Sequence, residues 1–557
     1  MRNILGFSLG HDGSVTAVKA GKPVCAISRE RLTRTKHEQG VSEEQIHYVL
    51  DAADLSINDI GAVALCDYFP WEQTPLRLFD AKTHEPINTP LVSGSGDAPH
   101  CLYIAEILGR KIPAFVVTHH LAHAASAFYT SPFSQAACFT ADASLSLPEH
   151  CSSFAYGIGH QLFQLYCPGF MLGNAYSNFT EFLGIGLGIE KAGSTMGLAP
   201  YGTVSEVAQK RWEEFGARYF QRNFETNDQS YIRYMWSQLA GLPPHQRLTK
   251  EESSGKVAQN IAASLQYIFE RNLVKYGQEL YRDTASYNQG NLCLAGGSFL
   301  NCNANMKIKE ETSFERIHLF PACGDDGLCV GAALYTHHHI LGNARETYKP
   351  REYMYLGKEH ASDFKDGENY SPEKIAHLIS EGGLVAWYQG KSEFGPRALG
   401  NRSLLGDPRR SNMREIINQK IKCREWFRPF APVVLKEKAQ DWFEMDFESP
   451  LMLFISQVKK PTKIPAVTHV DNSSRVQTIA RSDNPRYYTL IEKFEEQTGV
   501  PILLNTSLNV NGEPIVETPK EAMRFFLNTK VDALVIGDQM WLAKQRSEIK
   551  EKTTAAA

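Results

Sequence analysis

The sequence predicts an α/β fold spread over at least two domains, and three observations predict it. Short apolar runs ending at glycine or aspartate alternate with helical stripes up to about residue 340. A stretch at 340–375 with no long apolar period interrupts the alternation, which resumes at "GGLVAWYQ". The length, 557 residues, exceeds what one core normally encloses.

The elements follow in order. "ILGFSLG" reads as a strand entering a glycine turn. "SEEQIHYVLDAADL" reads as a helix: Ser42 and Gln45 form a capping box, and Ile46, Val49, Leu50 and Ala53 keep the stripe. "AVALC" (62–66), "AFVV" (114–117) and "AACFTAD" (136–142) are buried strands. Pro, Gly and Ser punctuate 68–100 and predict a loop or lid insertion, and 224–255 is similar. "LCLAGGSFLNCNANMKI" is a strand, a glycine turn and a helix. In the second half, Pro485 sits just inside a helix start, Thr518 and Glu521 form another capping box, and "VPILLN" and "DALVIG" are strands. "EKTTAAA" is a polar tail without a packing pattern, and no internal repeat is visible.

Composition excludes several classes. A net charge of −4 argues against a nucleic-acid protein, which is normally basic. The 11 cysteines contain no C-x-x-C pair, so neither a disulfide framework nor a thiolate zinc site is indicated. No apolar run approaches the ~18 residues of a membrane helix, and "MRNILGFSLGHDG" is no signal peptide. A cytoplasmic protein is expected.

Four groups of residues carry chemistry. In "VVTHHLAHAASAF", His119 and His123 lie one helical turn apart, Asp142 closes a strand, and Asp325 and Asp326 occupy a glycine turn. Two His and two Asp suit a borderline divalent ion such as Fe(II), Mn(II) or Zn(II). Core histidines and turn-capping aspartates are the alternative, and spacing alone leaves the two even. "LAGGSFLN" and "EKAGSTMGLAPYG" are glycine turns with backbone N–H groups suited to phosphates, though neither fits a P-loop or dinucleotide fingerprint, and taken singly such turns are ordinary tight turns more often than nucleotide sites. His11 in "GHDGS" is a general-base candidate and Lys36 in "RERLTRTKHEQG" offers charge to an anion, with a solvated basic helix end as the equal alternative. Between Lys391 and Arg428 ten Lys or Arg stand against four Asp or Glu, threaded through Gly and Pro. Such a cluster favours a small phosphorylated ligand, with a solvated face or a nucleic-acid groove as the alternatives.

Together, "GHDGS", "RLTRTKH", "HHLAHAASAF", "KAGSTMGLAPYG", "GGSFLNCNAN", "GDDGLCVGAAL", "FGPRALGNRSLLGDPR", "FRPFAPVV", "RVQTIARSDNPRYYTLI" and "LLNTSLNVNGEPIV" resemble the O-carbamoyltransferases of natural-product biosynthesis. That family fuses a Kae1-like domain, of the actin/hexokinase/Hsp70-type ATPase fold, to a YrdC-like α/β domain. The resemblance implies a Kae1-like domain over 1–355, a YrdC-like domain over 370–545, and a tail at 546–557. The second domain is expected to make carbamoyl adenylate from carbamoyl phosphate and ATP. The first is expected to transfer the carbamoyl group to a hydroxyl of a small acceptor.

Carried over by motif, the implied metal ligands are His119, His123, Asp142 and Asp325, with Fe(II) or another divalent ion as cofactor and ATP entering with Mg2+. His11 matches the base and Lys36 an adenylate contact. Lys191, Gly193, Gly296, Gly297 and Asn301 match the nucleotide site. Arg397, Lys422, Arg428, Arg475 and Ser507 match the carbamoyl-phosphate cradle. The implied partners are ATP, carbamoyl phosphate and a hydroxylated small molecule, with a homodimer as the assembly to test and neither membrane nor nucleic acid expected. One departure stands out: relatives carry "DGxGE" where this chain has "DASLSLPEH" (142–150). Three other readings compete. They are threonylcarbamoyl transfer to tRNA adenosine, a metallopeptidase (although "HHLAH" lacks the glutamate of H-E-x-x-H), and a catalytically silent nucleotide-binding scaffold.

Overall fold

The computed structural model describes residues 2–69, 74–91, 100–143, 151–169, 172–210, 213 and 247–555. The chain divides into two compact units. The first comprises Met1–Pro23, Gln39–Ile46 and Ala53–Tyr348, and the second Val24–Glu38, His47–Ala52 and Lys349–Ala557.

Among the described residues, two sheets build the first unit. One contains β1 (Asn3–Ser8), β2 (Ser14–Lys19), β4 (Ile60–Cys66), β5 (Leu76–Asp80), β6 (His100–Ile107) and β7 (Arg110–Val117), in the order β2-β1-β4-β7-β6-β5, while β3 (Lys22–Ser28) falls mostly in the second unit. The other contains β8 (Gln135–Ala141), β9 (Ser152–Ile158), β10 (Gln161–Tyr166), β11 (Asn291–Ala295) and β12 (Arg316–Leu319), in the order β10-β9-β8-β11-β12. Both follow one plan. The first strand is central, the second lies antiparallel on one side, and two later strands lie parallel on the other. This topological repeat leaves no sequence repeat, because only burial and connection are duplicated. The helices His119–Thr130 and Leu328–Tyr335 pack on each other; the second also packs on β1, β2 and β4, and the first on β8 and β11. Almost every residue of both is buried, which accounts for their lack of a polar face. Gly331 permits the crossing: a Cβ there would lie 1.8 Å from the Ala122 carbonyl oxygen.

The second unit carries β13 (Glu368–Asn369), β14 (Val385–Tyr388), β15 (Arg402–Gly406), β16 (Ala431–Leu435), β17 (Ile455–Gln457), β18 (Ser473–Arg475), β19 (Gln477–Ile479), β20 (Ile502–Ser507), β21 (Ala533–Ile536) and β22 (Gln539–Leu542). Its main sheet runs β13-β22-β21-β14-β15-β20-β16-β19, with β17 and β18 paired separately. Its helices Pro372–Ser380, Pro485–Thr498 and Pro519–Asn528 each begin with proline, which needs no N–H partner there. Each is capped by the preceding Ser371, Asn484 or Thr518. The expected capping boxes at Ser42–Gln45 and Thr518–Glu521 both form.

The structure corrects two readings. The stretch 68–100 is not loop alone: it holds β5, which pairs antiparallel with β6 at the sheet edge. The expected tail contains the helix Arg546–Ala555, anchored by buried Ile549. Lys36 lies in Val24–Glu38, a segment that groups with the second compact unit. Arg31 donates to the Gly395 carbonyl at 2.8 Å, Arg34 to the Pro514 and Ile515 carbonyls, and Tyr48 to Glu517 at 2.5 Å. Residues 224–246 and 144–150, which hold most of the second expected loop and of the "DASLSLPEH" departure, lie outside the described residues.

Candidate active site

In the first unit, strand ends assemble one centre. His11 follows β1, Asp67 follows β4, His119 follows β7 and Asp142 follows β8, each at the carboxyl end, where α/β sheets present functional groups. Asp325 comes from the Gly324–Gly327 turn beyond β12. The ligand atoms of His119, His123, Asp142 and Asp325 all lie within 4.8 Å of one another. His123 Nε2 is 3.0 Å from Asp142 Oδ2 and 3.3 Å from Asp325 Oδ1, and His119 Nε2 is 3.6 Å from Asp325 Oδ1.

The four residues fit a divalent cation. His123 is wholly buried, yet neither ring nitrogen has an aligned hydrogen-bond partner. A buried imidazole normally finds one. Its Nε2 instead converges with two carboxylates on a common point, as ligands do. The N2O2 donor set suits a borderline ion.

Electrostatics follow from the same contacts. Burial disfavours charge on His119 and His123, but Asp325 for the first and Asp142 with Asp325 for the second push both pKa values up. Burial likewise works against the charge on Asp325, and His11, His119 and His123 overcome it and hold the carboxyl well below the carboxylate range. His11 bonds Asp12 Oδ2 through Nδ1 at 2.8 Å and reaches Asp325 Oδ2 through Nε2 at 3.1 Å. Against its burial, Asp325 and Asp12 raise its pKa to about 9. Both carboxylates thus favour the protonated imidazole at His11.

The expected nucleotide residues have other partners in part. Gly296 has φ +100°, and a Cβ there would lie 2.2 Å from the Ala141 carbonyl oxygen, so only glycine seats this turn on β8. The Gly297 N–H donates to Asp142 Oδ2 at 2.9 Å and so orients a candidate cation ligand. Asn301 caps the helix Cys302–Glu311 through the Ala304 N–H and exchanges two hydrogen bonds with Gln266. Lys191 and Gly193 lie on the helix Gly188–Leu198, whose Met196 touches Cys302 beside Asn301. Gly193 faces open space.

The second unit gathers cations. Lys422 is 3 % exposed, and its ammonium meets the Ser507 carbonyl at 2.6 Å, Ser507 Oγ at 3.3 Å, and the Asn509 carbonyl and Oδ1 at 2.9 and 2.6 Å. All its donors are thus engaged, and it fixes the Ser507–Asn509 turn. Burial, then Arg424, Lys36 and Arg428, push its pKa well below the ordinary lysine value. Burial, then Arg428 and Arg475, do the same to Arg424. Arg428 is lowered by burial and partly restored by Glu425, 3.7 Å away. Neighbouring strands explain the grouping: Ser507 ends β20, Arg475 ends β18, and Arg428 precedes β16. Arg397 sits in the loop before β15, whose Ala398 and Leu399 carbonyls accept from Asn505 and Gln477. Lys36, Lys422, Arg424, Arg428 and Arg475 thus act on one another. Sequence reasoning missed Arg424, one of ten basic residues in its stretch, and missed Asp67, a single aspartate after an apolar run.

The chain belongs to the carbamoyltransferase family. The model of the carbamoyltransferase N-terminus matches residues 3–73 and 104–334, and that of the C-terminus matches 376–544. It is therefore a transferase of the carbamoyl group. An uncharacterised protein of Synechocystis is 35% identical over 99% of this chain and 98% of its own length. Nodulation protein NolNO of Sinorhizobium fredii is 33% identical over 96% of this chain and 79% of its own. The 3'-hydroxymethylcephem-O-carbamoyltransferase of Amycolatopsis lactamdurans is 35% identical over 46% of this chain and 49% of its own. Likenesses to solved structures are ones of fold. HypF of T. kodakarensis shares 12% identity at a TM-score of 0.31, over 61% of this chain and 48% of its own. The 2-hydroxyisocaproyl-CoA dehydratase activator of Clostridium difficile shares 9% at 0.32, over 60% and 93%. Among the described residues no helix is long and apolar enough to cross a membrane.

Proposed function

We propose that the chain is an ATP-dependent O-carbamoyltransferase that works through carbamoyl adenylate. The observation that carries this reading is the cation group Lys422, Arg424 and Arg428, all within the residues that match the family's C-terminal model, with Lys422 buried against the Ser507–Asn509 turn and repelled by Arg424 and Arg428. Buried like charges are unfavourable alone and favourable around phosphate oxygens, where charge-assisted hydrogen bonds compensate their desolvation. Carbamoyl phosphate, water and Mg2+-ATP there give carbamoyl adenylate, pyrophosphate and phosphate. Arg397, Arg428, Arg475 and Ser507 hold the phosphoryl oxygens, Lys422 fixes the Ser507 turn, and Lys36 contacts the adenylate.

In the second step the acceptor oxygen bonds to the carbamoyl carbon, the carbon–oxygen bond to AMP breaks, and His11 takes the hydroxyl proton. Lys191, Gly193 and the Gly296–Asn301 turn flank the nucleotide. His119, His123, Asp142 and Asp325 would hold the cation, Fe(II) or another borderline ion. When bound, it would offer positive charge to a phosphate or carbamoyl oxygen and take up the Asp325 charge that keeps the proton on His11. A small hydroxylated acceptor is supported by the relative named for O-carbamoylation of a hydroxymethylcephem.

The test is pyrophosphate release from ATP, which should require carbamoyl phosphate. Arg428→Ala should abolish it. His11→Ala should spare it while stopping carbamoyl transfer and AMP release with a panel of hydroxylated acceptors. Equal loss of both steps in His11→Ala would refute the division of labour.

A further inference from the structure

His119 offers Nε2 to the cation centre, and its other nitrogen faces two neighbours from the end of β4. Asp67 Oδ2 lies 3.1 Å from Nδ1, and Cys66 Sγ lies 4.0 Å from it. Both neighbours are largely buried, the Asp67 side chain 13 % exposed. The chain leaves β4 through Asp67 at φ +54°, a left-handed conformation that most side chains avoid and that Asp and Asn tolerate.

We propose that Asp67 is a positioning residue for the cation centre. Its carboxylate accepts the Nδ1 proton of His119, which fixes the tautomer and the ring plane and leaves the Nε2 lone pair directed to the point shared with Asp325. A carboxylate behind a ligating imidazole also makes that imidazole a stronger donor, and loss of such a partner typically weakens metal affinity 10- to 100-fold. The carboxylate, not the thiol, has this role: 3.1 Å is hydrogen-bond distance, and 4.0 Å is the limit for sulfur. Cys66, Asp67 and His119 are also close enough to hold an ion of their own, but a proton shared between Nδ1 and Asp67 leaves no lone pair there for one. The proposal rests on reading His119, His123, Asp142 and Asp325 as a cation site.

Asp67→Asn isolates the charge, because asparagine keeps the size and accepts the left-handed backbone. Titration of the full chain with Co2+ alone, followed by calorimetry and by the visible ligand-field spectrum, should show one ion per chain. Asp67→Asn should bind it 10- to 100-fold more weakly, with an altered spectrum and an unchanged melting temperature of the ion-free protein. Cys66→Ser should bind as the parent does. Parental affinity and spectrum in Asp67→Asn, or an equal loss in Cys66→Ser, would each overturn the proposal. Parental affinity in His123→Ala would instead overturn the site reading beneath it.

Discussion

Substituting Arg424 by methionine should separate binding from folding at the anion site. In the ligand-free protein Arg424 Nε is buried without a hydrogen-bond partner, Nη2 donates to Thr506 Oγ1 at 3.3 Å, and the guanidinium lies 4.4 Å from the Phe430 ring centre. Methionine removes one hydrogen bond, worth about 1 kcal/mol, and a cation–π contact of about 0.5–2 kcal/mol. It keeps the methylene packing on Phe430. Against this loss it removes a charge that burial, Arg428 and Arg475 all disfavour. Replacing buried charges by apolar groups is often neutral or stabilising, by about 1–4 kcal/mol. The terms are of similar size, so without anion the stability should stay within about 1 kcal/mol of the parent or rise. With a phosphate bound the sign reverses. A charged hydrogen bond is worth about 1.5–3 kcal/mol, so pyrophosphate affinity should fall roughly 10- to 150-fold. Urea unfolding with and without pyrophosphate, together with calorimetric titration, reads both quantities. A loss of more than about 3 kcal/mol without anion, with unchanged pyrophosphate affinity, would make Arg424 a structural residue and refute the reasoning.

Two further perturbations test the first unit. Gly331→Ala places a Cβ against the Ala122 backbone. It should lower stability by about 1–3 kcal/mol and, by forcing apart the helices next to His123 and Asp325, weaken Co2+ binding; unchanged binding would show that this crossing does not set the ligand geometry. His318 is buried and donates to Thr130 Oγ1, since that hydroxyl's own proton goes to the Ser126 carbonyl. Burial, then Arg345, lower its pKa to about 3. The unfolded chain therefore takes a proton below pH ~6.5 that the folded chain refuses until about 3, and stability falls as pH falls through that window. Between pH 7 and 5 this residue contributes a loss of about 2 kcal/mol, which His318→Gln should remove from urea-unfolding data. Identical pH slopes for both proteins would contradict it.

The grouping of the four candidate cation ligands was legible in part because their signals are local. His119 and His123 share a helix face by spacing, and Asp142 and Asp325 close apolar runs at turns. Their convergence was not legible, since it depends on two sheets of one topology whose sequences do not repeat. Asp67 lies 52 positions from the ring it meets, and nothing near it marks a strand end as different from any other. Lys36 falls in the second compact unit through side chains such as Arg31 and Arg34, whose acceptors lie 364 and at least 480 positions on, a placement that no local signal carries. Gly297 carries a contact its motif did not announce: its N–H holds Asp142.

A net charge of −4 conceals two centres of opposite sign. The first unit sets Asp12, Asp67, Asp142 and Asp325 around three histidines, and the second sets Lys36, Arg424 and Arg428 near Lys422, and Arg428, Arg475 and Glu425 near Arg424. On the proposed reading both must accept phosphate groups, and only the second is built to do so unaided. An adenylate phosphate approaching the first meets carboxylates, and the approach becomes favourable once their charge is taken up by a cation. Binding of the nucleotide and of the cation at that centre are then coupled, and each must raise the affinity of the other by the same factor.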